Sequence, residues 1–202
     1  MWLCVVGDVH TVARHQIQDE VVGRGLGAQF ADAVPRFLLI AVVCLLAMGL
    51  EAAGPSPVPA RIETDFSKAA PRSVEDLTQR SIARDYSSAW NSLTAALSSN
   101  SADALNGYFV GPAKSGLLNA IADQTRLKLQ TYYTSSGHKV EAVFYAPEGD
   151  VMMLHDTVEL DIRLTVDGKA IHEEHVVLRY VVLMTPAADR WVIRQLQAVP
   201  QF

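Results

Sequence analysis

The chain has 202 residues, with 17 Lys plus Arg against 22 Asp plus Glu, 50% hydrophobic and 19% charged residues. That gives room for one globular domain plus a tail or targeting segment, and it excludes a mostly disordered chain or a polyelectrolyte arm. A formal net charge of -5 argues against a nucleic-acid partner, which calls for a basic face.

Residues 1–33 contain Gly23, Gly25 and Gly27 and keep no helical or strand period. Phe37 to Leu50 then gives 14 residues without a charge, bounded by Arg36 and Glu51. A membrane-spanning helix needs roughly 20 apolar residues, and the apolar part of a signal peptide about 7–15. The length therefore favours export over a permanent anchor, with residues 34–54 as the signal peptide or short anchor. Arg36 supplies its positive flank, and Ala47, Gly49, Ala52, Ala53 and Gly54 supply small residues after it. Two readings of residues 1–33 stay open. One is a mis-called extension ahead of a bacterial start at Val34, since a valine codon can initiate translation as methionine. The other is a disordered tail before an uncleaved anchor. Ala41-Val42-Val43 before Cys44 lacks the small residue expected beside a lipidated cysteine. The expected location is extracytoplasmic, either periplasmic or secreted, or tethered to the inner membrane through residues 37–50.

The two cysteines are Cys4 and Cys44, and none follows from Pro55 to Phe202. A disulfide-stapled miniprotein and a cysteine-ligated zinc site are thus excluded for the folded part. Pro55, Pro57, Pro59 and Pro71 fix the backbone and remove donors, so residues 55–72 read as an extended linker. The folded domain is expected over residues 73–202, with no internal repeat.

Ser73-Val-Glu-Asp76 reads as a helix start, Ser73 capping and Asp76 in the capping-box position. Val74, Leu77, Ile82, Tyr86, Ala89, Trp90, Leu93 and Leu97 recur at three- and four-residue spacing and predict one apolar, aromatic face. A short second helix is expected from Ala102 to Phe109. A third follows from Ala113 to Gln130, burying Leu117, Leu118, Ile121, Leu127 and Leu129. The period then changes to two. Val140 to Ala146 is the first strand candidate. Met152 to Val166 alternates throughout and ends at Asp167-Gly168, a strong two-residue hairpin signal. Ile171 to Thr185 returns, and Arg190 to Val199 closes an antiparallel meander. Helices first and strands afterwards make the class α+β.

Tyr86-Ser-Ser-Ala-Trp-Asn91, Ala104-Leu-Asn-Gly-Tyr-Phe109 and Asp189-Arg-Trp-Val-Ile-Arg194 resemble the nuclear transport factor two-like superfamily over about residues 73–199. The resemblance implies N-terminal helices packed on a bent antiparallel sheet, a cystatin-like cone enclosing a cavity. That superfamily includes isomerases, cyclases, transport factors and domains without chemistry, so the likeness specifies the fold and hardly the activity. An export segment and linker ahead of such a domain is similar to the Mce-associated membrane proteins and to plastid-division intermembrane-space domains. In both groups the domain is understood as an interaction or scaffolding module.

Gly7-Asp8-Val9-His10 matches the opening of a metallophosphoesterase, but its later motifs are missing and the match is attributed to chance. His138, His155, His172 and His175 invite a metal reading with Asp156, Glu159, Glu173 and Glu174. Residues three apart on a strand point to opposite faces, so His172 and His175 cannot share a metal without a bulge. No metal or cofactor is expected.

Register supplies the sharper constellation. With a two-residue turn at Asp167-Gly168, Leu160 faces His175, Val158 faces Val177 and Asp156 faces Arg179. Asp156 is the charged residue in the apolar phase of its strand, and a carboxylate–guanidinium pair would keep it inside. The pair is expected to fix register. The alternative is a cone lined by Asp156 and Arg179, with Tyr86 and Trp90 as walls and Asp156 as the base of an isomerase-like or cyclase-like enzyme, Tyr86 or Tyr180 donating to an oxyanion. An arginine opposite Asp156 would lower its pKa and weaken it as a base. The sequence therefore reads as an exported or tethered binding or scaffolding domain, with no catalytic residue assigned. Cavity or ligand candidates are Tyr86, Trp90, Asp156, Arg179 and Tyr180, for an unknown protein or a small apolar ligand. A homodimer pairing through the outer sheet faces is the third reading.

Overall fold

A computed structural model describes residues 61–202 apart from Asn106. The expectations for the start site, the export segment and residues 55–60 of the linker lie outside the described residues. Among the described residues no helix is long and apolar enough to cross a membrane.

The chain forms strands β1 (Ile62–Asp65) and β2 (Ala70–Pro71), helix α1 (Asp76–Ser99), a 3-10 turn (Ala102–Leu105) and helix α2 (Gly111–Leu127). Strands β3 (Leu129–Tyr145), β4 (Met152–Val166), β5 (Lys169–Pro186) and β6 (Trp191–Val199) follow. The sheet order is β1-β3-β4-β5-β6, with β2 also paired to β3. The expected meander holds from β3 to β6, whose pairs are all antiparallel. The sheet is nonetheless mixed, because β1 and β2 run parallel to β3. Residues 62–65 and 70–71, placed in the linker by the sequence, pair on the edge of the sheet and are joined by a turn at Ser67-Lys68. The architecture is α+β, two helices packed on a bent sheet.

Helix α1 buries Ile82, Tyr86, Ala89, Trp90, Leu93, Ala96 and Leu97 on one face, the stripe its three- and four-residue spacing predicts. Leu77 is 75% exposed and does not share that face. The capping box does not form: the helix begins at Asp76, and Glu75 at the cap position makes no side-chain capping bond. Its carboxylate instead accepts a bond from Arg72 Nε at 3.1 Å. At the other end Asn100 adopts a left-handed conformation, φ 51°, and its N–H reaches Ala96 O, the usual way to stop a helix.

Helix α2 ends at Leu127 with Lys128 left-handed, so Leu129 opens β3 and does not extend the helix. Leu118 faces outward. Buried Gln124 ties the junction together. Its Nε2 donates to Leu97 O at 3.2 Å and Asn100 Oδ1 at 2.8 Å, while its Oε1 accepts from the Thr131 hydroxyl. Asn100 Nδ2 then donates to Leu129 O at 2.6 Å. Asp85, 3% exposed, accepts the Trp191 N–H at 2.8 Å and fixes α1 to β6.

The β4–β5 hairpin departs from expectation by one residue. Asp167 and Gly168 have φ 48° and 76° and form the tight turn their sequence signals. Thr165 pairs with Ala170, but Leu164 pairs with His172, leaving Ile171 as a bulge. Ile171 packs instead with Leu127, Leu129, Leu164 and Val166 in a small satellite cluster. A one-residue slip exchanges the two faces of everything beyond it. Leu160 therefore faces Val176, Asp156 faces Tyr180, and Arg179 faces Thr157.

Because β1 and β2 pair with β3, a fragment of residues 61–202 is expected to unfold cooperatively at a higher temperature than one of residues 73–202. Equal melting temperatures by calorimetry would show that the two edge strands add no stability.

Candidate functional site

Asp156 sits in the apolar phase of β4, so the pleat that buries Leu154 and Val158 buries it as well, at 0% exposure. Its strand neighbours are Val140 on β3 and Tyr180 on β5. The Tyr86 hydroxyl on α1 donates to Asp156 Oδ2 at 2.6 Å. His138 Nδ1 on β3 lies 2.8 Å from the same oxygen. With the proton on Nδ1, His138 donates to the carboxylate and its Nε2 is an acceptor. Three elements thus converge on one oxygen.

Aromatic rings close over this cluster. Trp90 tilts against His138 at 4.6 Å between centroids and meets Tyr180 edge to face at 5.6 Å. Tyr86 approaches Trp90 at 6.4 Å, almost perpendicular. Such edge contacts add modestly to the area these rings bury. Burial, then the Asp156 charge, holds the Tyr86 hydroxyl well above the usual tyrosine range. Tyr180 is raised as well, by burial first and then by Tyr133 and Asp156.

Of the five residues singled out from the sequence, Tyr86, Trp90, Asp156 and Tyr180 come together and Arg179 does not. The bulge at Ile171 turns Arg179 to the outer face, where it is exposed and donates from Nη1 to Pro200 O at 3.3 Å. The expected Asp156–Arg179 pair is absent, and among the described residues no lysine or arginine is buried. The partner that replaces it is His138. The sequence signal was available, since His138 keeps the period-two phase of Val140 and Ala142. Starting the strand at Val140 concealed it.

The cluster is closed. Asp156 and His138 are 0% and 1% exposed, and Trp90 is 4% exposed. One open pocket of about 590 Å³ lies between the β1–β2 segment and the start of α1. A wider groove lies further along the cone, between the flank of α1 and the turn-proximal ends of β3, β4 and β5. This groove of about 1070 Å³ is lined by Thr94, Ala95, Ser98, Tyr133, Ile162 and Glu174, among others. Asp161, Glu173 and Arg163 also border it, with His175 bound to Asp161 at 2.8 Å. Burial, then the Glu174 charge, pushes Tyr133 up to about 12. Among the described residues no group of three or more His, Cys, Asp or Glu side chains is placed to hold a metal ion.

No protein-family model and no curated protein matches the sequence. Among solved structures, the intermembrane space region of the chloroplast protein ARC6 is similar, with a TM-score of 0.51 and 17% identity, covering 64% of this chain and 100% of that one. A calcium/calmodulin dependent protein kinase II association domain from Xanthomonas campestris aligns with a TM-score of 0.38 and 13% identity, over 68% of this chain and 96% of that one. The ARC6 region shares the fold, and at that identity the likeness concerns the fold alone.

Asp156→Ala removes the acceptor of two buried donors and should cost about 2–4 kcal/mol in denaturant unfolding. Tyr86→Phe should cost less, about 1–2 kcal/mol, and the double variant should fall short of the sum. Arg179→Ala should be near neutral and additive with Asp156→Ala. Strong coupling of Arg179 to Asp156 would overturn the bulged register.

Alkaline stability follows from the tyrosines. Unfolded chains ionise tyrosine near 10, whereas Tyr86, Tyr133 and Tyr180 hold their protons higher, Tyr133 to about 12. Their contribution is complete below pH 10 and is lost as pH rises through the folded-state values, by up to about 1.4 kcal/mol per pH unit for each. Tyrosinate absorbance should show Tyr86 and Tyr180, the two buried ones of the three, titrating only with unfolding. Tyrosinate formation at Tyr86 or Tyr180 near pH 10 in a folded chain would refute their burial.

Proposed function

We propose that this chain is an extracytoplasmic, non-catalytic binding or scaffolding module, exported or tethered by residues 37–50, that receives its partner at the groove between α1 and β3–β5. The observation that carries the reading is the contrast between the two ends of the cone. The carboxylate a catalyst would need is 0% exposed and engaged by Tyr86 and His138, whereas the groove is open. A general base must reach a substrate proton, and Asp156 is sealed beneath Trp90 and Tyr180. The likeness of an intermembrane space region, together with the apolar run of residues 37–50, supports the location.

A second reading has its own observation. Asp156 Oδ1 and His138 Nε2 are buried without a hydrogen-bond partner among the described residues, an unusual expense in a core with no other use for them. If Trp90 moves, these atoms face a substrate, and the site becomes an acid–base centre of the isomerase or cyclase kind.

Cross-linking in the native envelope followed by mass spectrometry names the partner. An alkaline phosphatase domain fused after Phe202 reports the compartment. Partner binding is expected to weaken about tenfold or more in Thr94→Arg or Ala95→Arg, which fill the groove, and to persist in Asp156→Asn. Loss of binding or of a turnover in Asp156→Asn alone, with the fold intact, would transfer the assignment to the enzyme reading. An inactive phosphatase fusion would remove the extracytoplasmic part.

A further inference from the structure

The edges of this sheet are unequally protected. On β6, the Ile193 N–H donates to Tyr108 O at 2.8 Å, and the Val110 N–H donates to Ile193 O at 3.0 Å, covering that strand with the segment before α2. On β3, β1 covers His138 to Glu141 and β2 covers Phe144 and Tyr145. Over Leu129 to Gly137, no strand of the described residues lies outside β3. Leu129-Gln-Thr-Tyr-Tyr-Thr-Ser-Ser-Gly137 contains no charge and no proline, so it lacks the usual chemical defences of an exposed edge.

Backbone phase shows which groups are free. The His138 N–H points away from β4, since it donates to Arg61 O at 2.9 Å. Across the bulge at Ser136 this phase passes to Ser135, Tyr133, Thr131 and Leu129. The Leu129 carbonyl confirms it by accepting from Asn100 Nδ2 at 2.6 Å. Thr131, Tyr133 and Ser135 therefore aim their N–H and C=O groups outward.

Residues 55–59 are unsuited to pair with this edge as a continuation of β1. The Arg61 carbonyl faces β3, so in a continuation of β1 residues 59, 57 and 55 would face it too. All three are proline and have no N–H to give.

We propose that the occupant is a second copy of this chain, its β3 antiparallel to the first about a two-fold axis at Tyr133. Thr131 then pairs with Ser135 of the other copy, and Tyr133 pairs with its counterpart, each outward N–H meeting a carbonyl. The absence of charge means that no like charges oppose each other at the seam. Tyr132, Tyr133 and Thr134 also border the groove, so the two grooves would open onto one seam. The pairing stands independently of what the groove binds.

The test uses the full chain in detergent with Cys4→Ser and Cys44→Ser, carrying Tyr132→Cys and Thr134→Cys. These two positions oppose each other across the axis in a non-hydrogen-bonded pair, the geometry a disulfide accepts. A cross-linked dimer on mild oxidation is expected. In sedimentation, the unmodified chain should associate reversibly, and Ser135→Pro, which removes an outward N–H without touching the β4 ladder, should weaken the dimer about tenfold or more. Circular dichroism checks that this variant is folded, and Thr134→Lys, which brings like charges to the seam without altering the backbone, should weaken it as well. A monomer at every concentration overturns the proposal. So does a dimer that resists both substitutions and forms no 132–134 cross-link, which places the contact on another face. Protection of the 131–135 amides from exchange only when a different envelope protein is added would assign the edge to a foreign strand.

Discussion

A carboxyl group buried with no lysine or arginine beside it is the constraint around which the cone is arranged. Asp156 lies where β4, β3 and α1 meet, and desolvating it is tolerable only when donors replace the lost water. Tyr86 and His138 are those donors. Each comes from a different element, so the same bonds that engage Oδ2 also set the position of α1 over the sheet. Asp85 and Gln124 repeat the arrangement at smaller scale, each joining a helix to β6 or β3 through a buried polar side chain. The helices are thus held by directional bonds as well as by their apolar faces. Directional bonds specify one packing where apolar contact alone would allow several.

The closure of this cluster decides how the cone can be used. A polar cavity open to solvent would offer Asp156 to a substrate; in the closed cluster Asp156 joins β4 to α1 and β3. Trp90 is the lid, in contact with His138 and Tyr180 at once. On the proposed reading recognition falls to the turn-proximal end, where carboxylates and tyrosines border a groove beside the flank of α1.

Much of the fold was legible in the sequence because its signals are periodic. The stripe from Ile82 to Leu97 on α1, the alternation from Met152 to Val166 and the Asp167-Gly168 turn are local patterns, and a local pattern survives in any tertiary context that has an apolar interior. Leu77 and Leu118 carry the right residue type but lie where no partner surface reaches them. The missing capping box at Ser73 has a similar origin, since Arg72 engages Glu75 and the chain enters the helix from β2.

The sequence by itself determined the order of the helices and long strands from α1 onward, the α+β class, the apolar face that carries Tyr86 and Trp90, and the inward phase of Asp156. Each follows from the spacing of residues along one element. Tertiary structure alone decided what neutralises the cost of Asp156. Ile171 leaves the ladder to fill a satellite cluster at the far end of the hairpin, and that single bulge sends Arg179 outward and brings Tyr180 opposite the carboxylate. It also decided that β3 begins early enough to place His138 inside, and that residues 62–71 join the sheet as parallel strands. A bulge, a strand start and an edge pairing are settled by packing between distant segments, and no period in the chain encodes them.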